Sequence, residues 1–496
     1  MAYFSDFTKT ICLLVIINIL IATAWAIKRF FPFLPNSVSR KFLHVTAITV
    51  AALSYILISN EIYIIALGLL ILFGNYAMVK FKLFEEEEPR KKNYGIFLVP
   101  ISYLFLLFAF RSQREIAMMG MLVMAYADGL AALIGENFPY KPYKLGKSSK
   151  SIGGSLTFFL VSFAVFYFAF AFVPLDNAEV YSFTDSEILV YAVYFALFLT
   201  LVEALSFKGM DNFLIPVISS YLLYVFLVLD LAPQIIQLLV ALLFVALVIW
   251  TSAKFEFLTK DGSVAAAIIG LFVFGLGGWK WSVPLLTFFF LSSFLSKLPK
   301  NKNQYFEKGD KRDAAQVFAN GIVPLLAFAL SLIIREENDV FYFIYLTALG
   351  AAAADTWATE IGNLKIRKTF SVVGFYAVEQ GISGGVSLGG TVGGFFGALS
   401  VILSGYFWIS SGNYYLMALS LASAFLGMVF DSFLGALWQR KNICTVCDKI
   451  TERKIHCEKP TKYYSGIKWL NNDAVNLISI AVSSLLYFVI YYAVVV

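Results

Sequence analysis

The stretch ADGLAALIG (Ala127 to Gly135) returns later in the chain as ADTWATEIG (Ala354 to Gly362), and this repetition decides how the rest is read. In each copy an aspartate, Asp128 or Asp355, stands seven positions before a glycine, Gly135 or Gly362, within a small and apolar run. Two further blocks flank each copy in the same order. RKFLHV (Arg40 to Val45) is echoed upstream by RDAAQV (Arg312 to Val317), and SIGGS (Ser151 to Ser155) is echoed downstream by SLGGT (Ser387 to Thr391). Small residues are common in membrane helices, so any one match is weak. Three matches in one order mark an internal duplication. An acidic residue followed by a Gly-Gly turn, present twice, suggests one metal-nucleotide chemistry performed at two sites.

Composition settles the class. Of 496 residues, 60% are hydrophobic, 17% aromatic and only 14% charged, with a mean hydropathy of +0.78. Such a chain is no soluble globular protein; it reads as an all-α polytopic membrane protein. Apolar runs of the length a bilayer requires can be placed at about sixteen positions, beginning near residues 10, 42, 61, 95, 115, 152, 187, 212, 233, 262, 281, 314, 340, 384, 414 and 474. The first run flows into Lys28 and Arg29 as an anchor would, so no cleavable signal peptide is expected.

Basic residues set the expected orientation. The loops around 28–41, 80–92, 141–150, 297–312, 365–368 and 440–468 carry Lys and Arg and, by counting spans, share one side, whereas 174–187 and 410–413 carry none. The positive-inside rule makes the motif-bearing loops cytoplasmic and puts both termini outside. The net charge of +6 is then a topology signal, no nucleic-acid partner is implied, and the run Glu85 to Glu88 is a solvated loop. The same counting gives both copies one orientation, a parallel duplication in which the first copy carries an extra hairpin at about 61–110. The boundary falls at 232–255, giving domains 1–232 and 233–496.

Asp128 and Asp355 lie at helix ends in apolar surroundings, where an unpaired carboxylate costs on the order of 2.5–3.5 kcal/mol at mid-bilayer. One such residue is as readily a hydrogen-bonded interface residue. Two at matched positions point to a metal ligand, and the expected ion is Mg²⁺ held jointly with nucleotide phosphates. Downstream of Asp128, YKPYKLGKSSKSIGGS (Tyr140 to Ser155) opens a helix whose exposed N–H groups suit phosphate, with Gly153 and Gly154 allowing close approach and Lys147 and Lys150 neutralising charge. It lacks the Walker A pattern. Glu203 and Asp211 later in the first copy, and Asp431 and Asp473 later in the second, are candidates to complete each metal site, or else are ordinary caps. Glu360, near Asp355, is a further candidate ligand.

Four cysteines form no disulfide framework. Cys12 reads as packing. Cys444-x₂-Cys447 followed by His456 and Cys457 has the composition of a zinc knuckle in a reducing compartment. Only one complete CxxC is present, and adjacent His456 and Cys457 are poorly arranged to share an ion. The expectation is a reduced, metal-free loop, with structural Zn²⁺ as the alternative.

ADGLAALIG followed by KSSKSIGGSL, preceded by SRKFLHV and followed by VEALSFKGMDN (Val202 to Asn212), resembles the CTP-dependent polyprenol kinase family, which includes dolichol kinase and chloroplast phytol kinase; the resemblance covers about residues 30–230. Residues from about 250 to 496 resemble the membrane family containing phytyl-phosphate kinase, through LTKDGSVAAAIIG (Leu258 to Gly270), KRDAAQVFANG (Lys311 to Gly321), ADTWATEIG, GGVSLGGTVGG (Gly384 to Gly394), FDSFLGA (Phe430 to Ala436) and NNDAVN (Asn471 to Asn476). Together these resemblances imply a bifunctional enzyme. The first half would convert an isoprenoid alcohol to its monophosphate and the second half would make the diphosphate, with CTP as donor and Mg²⁺ as cofactor, in the plasma or inner membrane of a bacterial or archaeal cell. Phosphate or nucleotide contacts would fall on Arg40, Lys41, Lys147, Lys150, Ser151, Gly153 and Gly154 in the first half, and on Lys308, Arg312, Gln316, Asn320, Ser387, Gly389 and Gly390 in the second. An acceptor that is already a phosphate asks for more positive charge, and the stretch from Lys297 to Arg312 is the candidate source.

Where the first copy has His44 the second has Gln316. An alcohol loses a proton as it attacks and a prenyl phosphate does not, so His44 reads as a general base, or equally as a structural hydrogen bond. Two other classes stay open: a cytidylyltransferase making a CDP-lipid, and a secondary transporter built on repeated bundles. Prenyl chain length and oligomeric state are left open by the sequence.

Overall fold

The computed structural model describes residues 5–81, 94–172, 183–298, 311–334, 338–364, 368–409 and 413–494. The chain is an all-α polytopic integral membrane protein. Among the described residues twelve helices are long and apolar enough to cross a bilayer, accompanied by three shorter apolar helices, Glu61–Ala77, Gly95–Ala109 and Asp211–Leu227. Every expected span start falls on or beside a helix. The crossings expected near 262 and 281 share one helix, Lys260–Ser296, interrupted at Gly278 (φ 61°, ψ −153°), a backbone conformation that glycine reaches without a Cβ clash.

The chain forms two compact units, Met1–Ile235 and Ile236–Val496. The first contains α1 (Asp6–Phe30), α2 (Asn36–Leu57), α3 (Glu61–Lys80), α4 (Gly95–Ala109), α5 (Arg114–Val123), a π-helical turn (Met124–Asp128), α6 (Gly129–Asn137), the hairpin β1 (Pro142–Leu145) and β2 (Ser148–Ser151), α7 (Ile152–Phe172), α8 (Asp185–Leu205) and α9 (Asp211–Leu227). The expected extra hairpin is α3 packed on α4. In an apolar solvent helices associate through close packing and internal hydrogen bonds rather than hydrophobic burial. Ser54 and Tyr103 share a buried hydrogen bond of 2.6 Å, Tyr55 donates to the Tyr103 carbonyl at 2.6 Å, and Ser220 on α9 donates to the Ile116 carbonyl of α5 at 3.1 Å.

The second unit continues with α10 (Ile235–Lys254), α11 (Lys260–Ser296), α12 (Ala314–Ile333) and α13 (Asn338–Gly362). After these come short strands β3 (Thr369–Ser371), β4 (Ala377–Val378) and β5 (Gly385–Val386), then α14 (Leu388–Tyr406) and α15 (Tyr414–Leu437). A small β module follows: β6 (Lys441–Ile443), β7 (Ile450–Thr451), β8 (Ile455–His456), β9 (Lys459–Pro460) and β10 (Lys462–Ser465), before α16 (Asn472–Val494). Strand order is β10-β6-β7, with β8-β9 a separate hairpin. Helix α13 is the centre, packed by α11, α12, α14, α15 and α16. Its alanine run Ala351 to Ala354 is buried. There α14 presents glycines: a Cβ on Gly394 or Gly397 would come within 2.9 or 2.8 Å of the Ala354 or Ala353 carbonyl.

Candidate functional site

In the first unit the π-helical turn ends on Asp128, which is 6% exposed. A π-turn widens a helix locally and re-aims the side chains at its end. Lys41 and His44, one turn apart on α2, share a face. Lys41 Nζ lies 3.1 Å and His44 Nε2 lies 3.4 Å from Asp128 Oδ2. The His44 Nε2 atom is enclosed and without a hydrogen-bond partner in the protein, while its ring also bonds the backbone at Met124. Arg40 points elsewhere, its guanidinium donating to both Glu136 oxygens at 2.8 and 3.0 Å.

The β1–β2 hairpin, turning at Gly146 (φ 56°), delivers Lys150 to the other carboxylates. Lys150 bonds Glu203 at the end of α8 and lies 3.6 Å from Asp211 at the start of α9. Burial opposes the Lys150 charge, but the carboxylates of Glu203, Asp211 and Asp128 outweigh it and hold the ammonium above the ordinary lysine range. Glu203 Oε2 is buried and has no hydrogen-bond partner in the protein. Lys147 stands apart, over the Phe207 ring at 5.3 Å.

The SIGGS block is first a helix cap and a contact surface. Ser151 Oγ accepts from the Gly154 N–H at 3.1 Å. A Cβ on Gly154 would meet the Ala131 carbonyl at 3.1 Å and the Gly135 Cα at 3.4 Å, and one on Gly153 would meet Tyr140 Cβ at 3.4 Å. The second unit repeats the serine cap and the glycine–alanine contact. Ser387 Oγ accepts from the Gly390 N–H at 3.2 Å. A Cβ on Gly390 would meet the Ala358 carbonyl at 2.8 Å, and one on Gly362 would meet the Gly390 Cα at 3.6 Å. Gly389 is half-buried in the first turn of α14.

Asp355 on α13 faces Asp431 on α15, close enough for their charges to repel, and Ser479 of α16 donates to Asp431 at 2.9 Å. Glu360 adds a further negative charge beside Asp355, accepts from Ser296 at 2.8 Å and attracts Arg312. Asp473 lies in the first turn of α16. Among the described residues no Lys or Arg pairs with Asp355 or Asp431. Of the lysines expected beside this site, Lys297 donates to the Glu256 carbonyl at 3.2 Å and Lys311 pairs with the Glu256 carboxylate at 3.1 Å. Lys300, Lys302 and Lys308 lie outside the described residues. Gln316 closes a capping box on α12, its N–H donating to Asp313 at 3.0 Å and its Oε1 accepting from the Asp313 N–H at 3.2 Å. Arg312, Gln316 and buried Asn320 border a small apolar pocket whose walls include Phe274, Leu286 and Leu349.

The donor sets test the fit of a divalent cation differently. Mg²⁺ takes one or two protein carboxylates together with substrate phosphates and water. Asp355 and Asp431, which pair with no Lys or Arg among the described residues, meet that description. In the first unit Lys41 already stands against Asp128 and Lys150 against Glu203 and Asp211, so a divalent ion there has to displace an ammonium. Among the described residues only Cys444, Cys447, His456 and Cys457 gather ligand atoms within 4.8 Å of one another.

Sequence reasoning missed the π-turn before Asp128, the Ser479 contact and Glu452, whose charge acts on Asp431 and whose carboxylate accepts from Ser383. None leaves a local signal in the sequence, since each depends on which helix or loop lies opposite.

With this geometry in hand, the similarities to known proteins fall into place. Residues 243–484 match the family described as Integral membrane protein DUF92. An uncharacterized membrane protein of Methanocaldococcus jannaschii is 27% identical over 53% of this chain and 98% of its own length. Protein PGR of Arabidopsis thaliana is 27% identical over 51% of this chain and 96% of its own. A Synechocystis protein named phytol kinase is 28% identical over 38% of this chain and 78% of its own. No solved structure matches the chain.

Proposed function

We propose that the chain is a two-step kinase of isoprenoid lipids. The first unit transfers the γ-phosphoryl group of CTP to an isoprenoid alcohol, and the second transfers another to the resulting monophosphate. The observation that carries this reading is the matched pair of helix-borne aspartates, each one turn before the alanine carbonyl that a Ser-capped glycine helix packs against. Two sites built alike suit two successive transfers of one kind. The similarity to a protein named phytol kinase supports the isoprenoid alcohol as first acceptor.

Phosphoryl transfer asks a protein for position and charge more than for covalent help. The alcohol oxygen attacks the γ-phosphorus, the bond to the β-phosphate oxygen breaks, and CDP leaves. In the first unit the hydroxyl proton passes to Asp128, with His44 at 3.4 Å from that carboxylate to take up the charge change. Since His44 Nε2 is enclosed, it acts through Asp128. Lys41 and Lys150 clamp the phosphates. In the second unit Arg312 and Asn320 hold the acceptor phosphate while the apolar cavity takes the chain behind it. Asp355 and Asp431 are the residues that would hold Mg²⁺, which would supply neutralisation of the phosphate charge. Both sites face the cytoplasm in this reading, where the nucleotide is.

The test is purified protein with labelled CTP or ATP and farnesol, geranylgeraniol, phytol or a long polyprenol, resolving mono- from diphosphate. CDP with both phosphorylated lipids is the expected result. Pyrophosphate with a CDP-lipid overturns the kinase reading in favour of a cytidylyltransferase.

A further inference from the structure

The β module between α15 and α16 has strands of two to four residues and only a small apolar interior, with Cys444, Thr451 and His456 buried within it. Modules this small need a staple beyond their own core. Cys444 follows β6, Cys447 lies in the turn before β7, His456 ends β8, and Cys457 begins the turn into β9. Their side chains converge. His456 Nδ1 lies 3.5 Å from Cys447 Sγ and 3.2 Å from Cys457 Sγ, and those two sulfurs are 3.8 Å apart.

These separations discriminate among explanations. A disulfide needs sulfurs at about 2.05 Å, so the cysteines are not paired that way. A tetrahedral zinc ion with Zn–S of about 2.3 Å and Zn–N of about 2.0–2.1 Å sets S···S near ~3.8 Å and S···N near ~3.5 Å. The Cys447–Cys457 separation of 3.8 Å and the Cys447–His456 separation of 3.5 Å match, the Cys457–His456 separation of 3.2 Å is shorter, and all four ligand atoms lie within 4.8 Å of one another. The backbone agrees independently. Asp448, Cys457 and Glu458 all have positive φ, at 53°, 50° and 61°, conformations that residues with a Cβ hold only where their surroundings impose them. The left-handed turn at Cys457 brings two adjacent side chains onto one point, which sequence adjacency alone argues against. The Val446 N–H is turned toward Cys444 Sγ at 3.4 Å, the kind of donor that orients and stabilises a metal-bound thiolate.

We infer that Cys444, Cys447, His456 and Cys457 form a structural zinc site, and that the module it fixes positions Glu452 at the Asp355–Asp431 site. Glu452 follows β7, held by Asn442, whose side-chain amide donates to the Glu452 and Arg453 carbonyls at 3.3 and 3.2 Å. The Glu452 carboxylate accepts from Ser383, just upstream of Ser387, and its charge acts on Asp431. The metal site stands on its own geometry, whereas its link to the second phosphorylation rests on the function proposed above.

The test uses full-length protein purified in detergent from zinc-replete cells. One zinc per chain is expected by elemental analysis, and exchange with Co²⁺ should give the ligand-field and thiolate charge-transfer bands of a tetrahedral cobalt site. The double variant C447S/C457S should lose the metal, while C12S keeps it. Metal-free wild-type protein with every thiol open to reagent, or metal retained by C447S/C457S, overturns the site. If the double variant fails to fold, stripping wild-type protein with a chelator and counting newly reactive thiols answers the same question: three are expected, and none overturns the site. For the link, Glu452→Gln should keep its zinc and the alcohol step yet slow the monophosphate step about 10–100-fold, the usual cost of losing an outer-shell partner. An unchanged second step in zinc-loaded Glu452→Gln overturns the link alone, and a protein that binds zinc but phosphorylates nothing overturns the proposed function while leaving the site intact.

Discussion

The two units carry the same scaffold contact and opposite electrostatics. In the first, Lys41 stands against Asp128 and Lys150 against Glu203 and Asp211, so the carboxylates are compensated by the protein itself. In the second, Asp355, Asp431 and Glu360 crowd together, with Arg312 drawn to Glu360 and no described cation on the two aspartates. Buried like charges are costly without counter-ions, and in the proposed function a cation arriving with the substrates would supply that charge at the second site. The expectation that the second site would be the more positive rests in part on Lys300, Lys302 and Lys308, which lie outside the described residues. The two units share the backbone device and differ in how the charge around it is arranged.

The largest effects test whether these are two sites at all. Asp128→Ala should abolish monophosphate formation, on the order of 10³-fold or more, and leave added monophosphate convertible to diphosphate. Asp355→Ala should accumulate monophosphate instead. Product analysis of both variants, checked for folding by size exclusion, breaks the comparison if either change stops both steps. Next in size, His44→Gln should slow the alcohol step by about 10²–10⁴-fold and flatten its acid-side pH dependence. A variant keeping both its rate and its pH profile removes His44 from the chemistry. Gln316→His should add no acidic limb to the second step, because Gln316 serves as a helix cap.

A smaller effect sharpens the assignment of the second acceptor. Hydrogen bonds to charged groups contribute about 1.5–3 kcal/mol, so Arg312→Gln should raise KM for a prenyl monophosphate by about 10–100-fold and leave the alcohol step unchanged. Equal losses in the two steps would show that Arg312 supports the fold rather than the phosphate.

Legibility followed range. A carboxylate in an apolar run is visible locally, because its burial cost demands a reason, and so Asp128 and Asp355 stood out. The helical positions also stood out, since crossing length is written in consecutive residues. Lys150 meeting Glu203 depends on a hairpin folding back across two helices, and no spacing rule encodes that distance. The structure makes Asp313-x-x-Gln316 a capping box, where alignment with His44 points to chemistry. Gly154 and Gly390 read as phosphate-binding turns, but the helices they let approach were invisible until folded. His456 and Cys457 were set aside for adjacency, a judgement that assumed ordinary backbone where the chain is left-handed.

The smallest expected effect isolates the shared scaffold. Gly154 and Gly390 occupy the same place in the two units, each against an alanine carbonyl, but the Cβ of an alanine would stand 3.1 Å from the Ala131 oxygen in the first and 2.8 Å from the Ala358 oxygen in the second. Both substitutions gain the same helix propensity, about 1 kcal/mol for glycine to alanine, so their difference reports the contact alone. A carbonyl in a packed helix cannot swing aside as a side-chain end can, and overpacking of this kind costs about 1–3 kcal/mol. Gly154→Ala therefore needs only a small adjustment and should come out near neutral. Gly390→Ala needs α13 and α14 to separate and should lower stability by about 1 kcal/mol or more. Thermal unfolding of the two variants in the same detergent, read as the shift in Tm from wild type, orders them directly. If Gly154→Ala is the more destabilised of the two, the tighter approach of α14 to α13 is not what distinguishes the units.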